Sequence, residues 1–276
     1  MSRSQRNQRL VLGVGVDEMT LLTADSGKLL ASVEMAAGKD AALPESAVWL
    51  SALSALIAKA GVEGDIALHA TVSDHWSRYW MQAVPEGIGQ LSELRALTAA
   101  RFADLFGLKP DAWSLSADWQ SSGLMLACAL PLGLVEALRA PPGEAWKLAS
   151  LQPASIRMLG RHAGRLPSSG WALCAGSTGI TLFQFSGSRI CHVRHHPTAV
   201  PPSVQLAEFL LEAEMLRRAA PRGEDLHVFG RIRGNAPGVQ LAGLKIVLPR
   251  RRRKSKPVEV PSGSESFELG MQGVAA

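Results

Sequence analysis

The chain has 276 residues, 47% of them hydrophobic, and this length can bury the core of one large domain or of two lobes. Lys and Arg exceed Asp and Glu by 5, but the excess lies in the two ends, 1–9 and 250–276, so the body is near neutral. The 3 cysteines lack framework spacing, which argues against a secreted disulfide scaffold. The uncharged windows 119–135 and 166–188 are too rich in polar residues, Pro and Gly to span a membrane. We therefore expect a soluble, cytoplasmic protein without a transmembrane segment of its own.

Two stretches of the chain share one pattern of three short strands and two tight turns. The first covers 10–33 and the second 171–194, and an offset of 161 residues aligns them without a gap and sets Gly15 over Gly176. Because Gly and small polar residues supply the backbone angles of hairpin turns, each stretch predicts a three-stranded antiparallel meander. A repeat this long indicates two related lobes, each opening with a meander.

Between the two meanders, the hydrophobic pattern predicts helices that alternate with short strands. These elements are, in order, a helix from Pro44 to Gly61, a strand at 66–72, a helix from about Ser92 to Leu105, a hairpin of strands at 113–118 and 124–130, a helix at 132–139, a strand at 146–150 and a helix from Pro153 to about His162.

Three aromatic residues, Trp76, Tyr79 and Trp80, stand close together after the strand at 66–72. Aromatic side chains dominate protein cores because each buries a large apolar area, so a core or a contact between lobes is the favoured interpretation. The alternatives are a stacking platform for bases and an apolar groove that binds a partner, and we retain the three residues as candidate partner-binding residues.

After the second meander, the pattern predicts one long helix, two strands and a tail. The helix covers 203–219 with Ser203 as its cap, a strand at 226–229 is closed by Gly230, and another strand covers 239–248. The remainder is basic and then rich in Pro, Ser, Gly and Glu, which is typical of disorder. The predicted domains are a basic tail at 1–9, a first lobe at 10–167, a smaller second lobe at 168–248 and a disordered tail at 249–276.

This order of elements resembles the two-lobed α/β fold of actin, bacterial sugar kinases and heat-shock ATPases, the actin-like (ribonuclease H-like) fold. More narrowly, it looks like the PilM proteins of type IV pili and the cytoplasmic domain of the GspL proteins of type II secretion, over roughly 10–248. The resemblance implies that the first hairpin of each lobe faces the phosphates of a nucleotide, and that the loop after Phe229 lies by the adenosine. The candidate nucleotide-binding residues are then Gly15, Gly176, Ser177, Thr178 and Gly230.

The resemblance also implies an Asp two residues before the turn glycine of each meander, because Mg²⁺ requires oxygen ligands and a hydrolytic water requires a base. These positions hold Gly13 and Cys174, while Asp17 lies beyond the turn glycine of the first meander. We therefore expect no catalysis and no required cofactor. ATP binding without turnover stays open, because the backbone turns can still form anion-binding concavities. An ATP-hydrolysing protein with unusual ligands is the alternative.

Two further features have competing interpretations. His192, His195 and His196 lack companion ligands at metal-binding spacing, so solvated histidines at a strand end are favoured over a metal site. The basic run 250–256 can attract nucleic acid or anionic lipid, but a solubilising end is favoured because nothing nearby reads bases. Nucleic acid is therefore an unlikely partner.

The resemblance implies a function in assembly. A protein of this type is a cytoplasmic scaffold of a type IV pilus or type II secretion platform, and a short N-terminal cytoplasmic segment of an inner-membrane partner docks on it. It links this partner to a motor ATPase and lies at the inner membrane only through its partners.

Overall fold

The computed structural model describes most of the chain. The described residues are 8–35, 43–62, 65–120, 122–140, 146–218, 225–230, 232–233, 240–241, 244–247 and Leu269. The predicted tail at 1–9 therefore lies outside them except for its last two residues, where the first strand already begins at Gln8. The predicted tail at 249–276 lies outside them except for Leu269, which is 3% exposed. At this one residue the side chain is buried, which the sequence did not lead us to expect.

The first lobe is built on a five-stranded sheet in the order β3-β2-β1-β4-β8. Its strands are β1 (Gln8–Val14), β2 (Glu18–Thr23), β3 (Leu29–Glu34), β4 (Ile66–Val72) and β8 (Lys147–Pro153). The first three form the predicted antiparallel meander, and β4 and β8 add to β1 in parallel. Helix α1 (Ser46–Ala60) packs its apolar face on this sheet and ends at Gly61, whose φ of 58° allows the left-handed cap.

The second lobe repeats this arrangement in a sheet of the order β11-β10-β9-β12-β14-β13. Its strands are β9 (Gly170–Gly176), β10 (Gly179–Ser186), β11 (Arg189–Pro197), β12 (Asp225–Gly230), β13 (Gln240–Leu241) and β14 (Leu244–Val247). Helix α5 (Val204–Arg218) covers it through Ala207, Leu211 and Met215.

The two meanders share one register, as the 161-residue offset predicted. Gly13 pairs with Thr20 in the first lobe, and Cys174 pairs with Thr181 in the second. In both lobes the central strand also receives a parallel neighbour, which is β4 beside β1 and β12 beside β9. The predicted two-lobed α/β fold with duplicated meanders is confirmed.

A third, three-stranded sheet is inserted in the first lobe between β4 and β8, and the sequence pattern did not reveal it as a unit. Its strands are β5 (Arg78–Val84), β6 (Trp113–Ala117) and β7 (Gly123–Pro131), and helix α2 (Leu91–Phe106) lies between β5 and β6 in the chain. The strand order is β5-β7-β6, so the predicted hairpin gains β5 at one edge. Helix α3 (Leu132–Arg139) then returns to α1, and helix α4 (Ala154–Arg161) leads from β8 toward the second lobe.

Candidate functional site

The first predicted site residue, Gly15, has both of its backbone groups bound inside the first lobe. Its N–H donates to the Glu18 carbonyl at 2.9 Å, which closes the turn between β1 and β2. Its carbonyl accepts from the indole Nε1 of Trp76 at 2.8 Å. Both backbone groups of Gly15 are therefore satisfied by residues of the first lobe, and the hydrogen bond from Trp76 stabilises the turn.

The hairpin turn of the second lobe is joined to the end of β4 in the first lobe by a pair of hydroxyl groups. Ser73 follows β4, and its backbone N–H donates to the Val14 carbonyl at 2.8 Å. Its Oγ lies 3.1 Å from the Oγ1 of Thr178, in the turn between β9 and β10. The Thr178 carbonyl also accepts from the backbone N–H of Thr198 at 2.9 Å. The structure thus brings the predicted residue Thr178 to the end of β4.

At the two positions where the resemblance places the nucleotide phosphates, the residues do not offer the carboxylates that Mg²⁺ binding and hydrolysis require. Gly13 offers no side chain, and the Cys174 thiol is buried in an apolar cluster. Burial, together with the charge of Asp74, holds the pKa of Cys174 well above its usual value, so the thiol stays protonated. Among the described residues, no group of three or more His, Cys, Asp or Glu side chains is placed to hold a metal ion.

The structure requires glycine at position 230 but not at position 176. Gly230 has φ of 89°, and a Cβ there would lie 2.0 Å from the Ala175 carbonyl oxygen of β9, so only glycine allows the two strands to approach. A Cβ at Gly176 would have the Gly179 carbonyl oxygen as its nearest neighbour, at 3.9 Å, which is ordinary contact. Strand packing therefore accounts for Gly230, and its place beside an adenosine stays a prediction.

A carboxylate that the sequence did not single out, Asp74, lies where the lobes meet. It follows β4, and it accepts hydrogen bonds from the hydroxyls of Tyr79 and Ser155, from the Ser155 backbone N–H at 3.2 Å, and from the Thr181 hydroxyl at 3.0 Å. These partners belong to the inserted sheet, to α4 and to β10. Asp74 therefore ties three parts of the fold together. Burial and the charge of Asp74 also raise the pKa of Tyr79 and raise the pKa of Cys128 to about 11.

His195 continues this network toward the surface. Its Nδ1 lies 3.0 Å from the Thr181 Oγ1. Because the Thr181 proton goes to Asp74, His195 Nδ1 must donate, which leaves Nε2 as an acceptor. This Nε2 is buried and has no hydrogen-bond partner among the described residues. Burial lowers the pKa of His195, against the opposing charge of Asp74, so the ring is neutral near pH 7.

The other two histidines face the opposite side of β11, where they meet the buried carboxylate of Glu214. Glu214 lies on α5 and is 2% exposed; its oxygens are 3.1 Å from His192 Nε2, 3.7 Å from His196 Nε2, and within 4 Å of Arg194 and Arg217. His195 and His196 do lie at the end of β11, which extends to Pro197, but the expectation that the histidines are solvated is wrong, because His192 and His196 contact Glu214 and are only 18% and 20% exposed. Burial lowers the pKa of both rings, although Glu214 acts against this shift.

The three candidate partner-binding aromatics point into three different clusters. Trp76 meets Trp49 edge-on at 5.3 Å between ring centroids, Tyr79 meets Phe183 at 6.4 Å, and Trp80 meets Phe102 at 5.6 Å. All three side chains are buried. Tyr79 and Trp80 enter different clusters because they are consecutive residues of β5, and consecutive side chains of a strand point to opposite faces of the sheet. The core interpretation accounts for all three, and a contact with a partner stays a prediction.

A cleft of about 740 Å³ runs between the inserted sheet and the second lobe, and we call it the β5–β11 cleft. It is lined by residues of β5 (Tyr79 and Trp80 among them), of the end of α2 and of β11, and by Arg218. Its lining includes 4 arginines, namely Arg78, Arg101, Arg194 and Arg218. Leu105 and Leu124 also line it, and each is 44% exposed. The cleft thus combines apolar surface with positive charge.

No protein-family model matches the sequence, and no curated protein matches it. Solved structures do. A chain of the PilM-PilN type IV pilus biogenesis complex matches with a TM-score of 0.53 and 15% identity, over 98% of this chain and 95% of that chain. The cytoplasmic domain of EpsL, an inner membrane component of the type II secretion system of Vibrio cholerae, matches with a TM-score of 0.51 and 9% identity, over 96% and 94%.

A Bacteroides thetaiotaomicron protein with an actin-like ATPase fold and unknown function matches with a TM-score of 0.53 and 10% identity, over 83% and 84%. At such identities the similarity is one of fold. The chain has the actin-like fold that its element order indicated, and that fold is found in pilus and type II secretion proteins. Among the helices of the described part of the chain, none has the length and apolar character needed to cross a bilayer.

Proposed function

We propose that this protein is a cytoplasmic scaffold of a type IV pilus or type II secretion assembly, which binds a short cytoplasmic segment of an inner-membrane partner. The observation that carries the proposal concerns the residues at the junction of the lobes, where the resemblance places the nucleotide phosphates. There, the hydroxyls of Ser73 and Thr178 meet across the lobes, and Gly13 and Cys174 stand where hydrolysis would require carboxylates. A two-lobed body without this chemistry retains a use as a binding surface.

The proposal includes the place of the protein in its assembly. The fold is similar to that of a chain from a pilus complex and to that of a secretion component, over nearly the full length of each. This supports a location at the cytoplasmic side of the inner membrane, held there through the partner. A motor ATPase is the second partner that the proposal includes.

ATP binding without turnover is the second candidate, and one observation favours it. The Ser177 Oγ, in the turn between β9 and β10, is buried and has no hydrogen-bond partner among the described residues. A buried hydroxyl without a partner is costly, and a phosphate oxygen would satisfy it. A nucleotide bound in this way would add a contact at the junction of the lobes, and the proposal routes no chemical step through it.

The test uses the purified full chain and synthetic peptides of about 15 residues, taken from the N-termini of inner-membrane pilus and secretion proteins encoded near its gene. We expect one peptide to bind with micromolar affinity, about −8 kcal/mol, in calorimetry. The same peptide in scrambled order is the control. If no peptide releases heat or raises the melting temperature at concentrations about 100-fold above micromolar, the scaffold function is ruled out for those partners.

A further inference from the structure

We propose that the β5–β11 cleft binds an extended peptide segment in which acidic side chains alternate with apolar ones. The inference rests on the proposed scaffold function, and it adds the location of the binding site and the chemistry of the segment that occupies it. Three independent features of the cleft carry it: its course along two strand edges, its charge, and its apolar wall.

The cleft follows the edges of two strands. Along β11 it is lined by residues 191–195 and by Pro197, and along β5 by residues 78–81. Consecutive residues of a strand face opposite sides of its sheet. A cleft that is lined by residues from both sides of one strand must therefore lie at the edge of that strand. Within the described sheets, β11 pairs only with β10, and β5 pairs only with β7. Cα atoms of β5 and β11 already come within 8 Å of each other, so the segment lies along the open side of the cleft and not as a strand between the two edges. The lined part of β11 spans about 20 Å, which suits about six residues of extended chain.

The charge of the lining favours carboxylates in the ligand. Its described residues include 4 arginines and no Asp or Glu, and we do not count the histidines because burial lowers the pKa of His192 and His195. Arg78 is fixed by its own contacts, because its guanidinium donates to the His75 and Ser77 carbonyls and lies 5.2 Å from the Trp113 ring centre. Arg101, Arg194 and Arg218 are exposed. A cleft lined by one sign of charge focuses its field and attracts the opposite charge.

The two carboxylates behind the cleft do not cancel this field. Asp74 is occupied by the hydroxyls of Tyr79, Ser155 and Thr181, and Glu214, a buried residue of α5, is occupied in part by His192, whose Nε2 lies 3.1 Å from it. Glu214 does lie 3.9 Å from the Arg194 Nε, so Arg194 shares part of its charge with it. Arg101 and Arg218 add positive charge that neither carboxylate contacts in the described structure.

The apolar wall favours a peptide over a nucleic acid. Leu105 and Leu124 are each 44% exposed beside the arginines, which suits aliphatic side chains. A nucleic acid would stack its bases on exposed aromatic faces, but Tyr79 and Trp80 are buried in separate clusters, and the half-buried Phe106 packs against Trp80 and Phe102.

The test measures fluorescence anisotropy with the full chain and a labelled ten-residue peptide in which Glu alternates with Val. The matched probe has Lys in place of Glu. The cleft variant is Arg101→Glu with Arg194→Glu, and the control variant is Arg95→Glu with Arg189→Glu. The control changes the same charge on the same two elements, α2 and β11, at exposed positions outside the cleft lining.

We expect the Glu peptide to bind, the Lys peptide not to bind, the cleft variant to weaken binding about ten-fold or more, and the control to change it less than about two-fold. Equal losses in both variants, or equal binding of both peptides, would overturn the proposal. So would an oligonucleotide that displaces the Glu peptide and loses affinity equally in the cleft variant. Binding that appears only after removal of 250–276 would assign the cleft to this chain's own C-terminal segment, which carries Glu259, Glu265 and Glu268 after its basic run, and would also overturn the proposal.

The result is distinguishable from a failure of the scaffold function. If a pilus or secretion peptide binds the cleft variant as tightly as the unchanged protein, the cleft is not the site, although the scaffold function stands. If the Glu peptide binds in the cleft and no pilus or secretion peptide binds anywhere, the site stands and the assembly does not. Circular dichroism of both double variants checks that they are folded.

Discussion

The Oγ of Ser73 lies 3.1 Å from the Oγ1 of Thr178, and this contact joins the end of β4 in the first lobe to the turn between β9 and β10 in the second. Beside it, Asp74 and Thr181 form a second polar link between the lobes at 3.0 Å. The lobes therefore meet through buried and half-buried hydroxyl groups at the position where the resemblance places phosphates.

We predict that the purified protein hydrolyses ATP no faster than a buffer control. The residues at Gly13 and Cys174 supply neither a metal ligand nor a base. Phosphate release over several hours measures this. Gly176→Val is the comparison variant, because a Cβ at this position makes only ordinary contact, with the Gly179 carbonyl oxygen at 3.9 Å. Steady hydrolysis that disappears in this variant would show that the second hairpin is catalytic.

The hydrogen bond from Trp76 to Gly15 predicts unequal effects of two similar substitutions. Trp76→Phe leaves the buried Gly15 carbonyl without its donor, and we expect a loss of about 1–3 kcal/mol beyond that of the smaller ring. Trp49→Phe is matched, because Trp49 packs against the same cluster and its Nε1 has no partner among the described residues. Urea unfolding of both variants measures the difference. Equal losses would mean that the bond adds nothing.

Substitution of two glycines that have the same φ distinguishes the cost of backbone strain from the cost of a steric clash. Gly230 and Gly87 both have φ of 89°, but a Cβ meets the Ala175 oxygen at 2.0 Å in the first and nothing within 4 Å in the second. Gly87→Ala should cost about 1–2 kcal/mol through the angle alone. Gly230→Ala should cost about 1–3 kcal/mol more through the clash. Thermal unfolding that ranks the two variants equally would contradict the close approach of β12 and β9.

The histidines predict that the folded state loses stability on acidification. Burial is the first cause that lowers the pKa of six of them, namely His69, His162, His192, His195, His196 and His227. As the pH falls below about 6.5, the unfolded chain takes up protons first, so stability decreases until the pH passes the folded-state values.

Above about pH 7.5 both states are neutral at these rings, and they add no pH dependence. Urea midpoints at pH 8, 7, 6 and 5.5 measure the slope, and His195→Gln should flatten it. The prediction is wrong if stability rises between pH 7 and pH 5.5, or if the variant leaves the slope unchanged.

Leu269 predicts that part of the C-terminal tail stabilises the fold. Its side chain is 3% exposed, so Leu269→Ala should cost about 2–5 kcal/mol, as for other buried leucines. Leu216→Ala is the matched control, because Leu216 is 79% exposed and should change stability by less than about 0.5 kcal/mol. A melting temperature that Leu269→Ala leaves unchanged would restore the expectation of an undocked tail.

Local signals were sufficient for the meanders, α1, the hairpin of β6 and β7, and α5. Their turns contain Gly and small polar residues, and their apolar residues recur with the period of the element. The strand β5 was not predicted because its apolar residues lie on both faces, with Tyr79 packed toward the second lobe and Trp80 toward α2, so they do not alternate with polar residues. Without β5, the cleft beside it was not predictable.

The sequence by itself determined the two-lobed architecture, because turn chemistry and strand periodicity depend on neighbours, and a 161-residue offset repeats them in the same register. Only the tertiary structure decided which polar residues act together. Asp74 stands alone in the sequence, and its partners Ser155 and Thr181 come 81 and 107 residues later. Folding brings them together because β4 and β10 meet at the same junction between the lobes, and no local pattern encodes a contact made between distant strands.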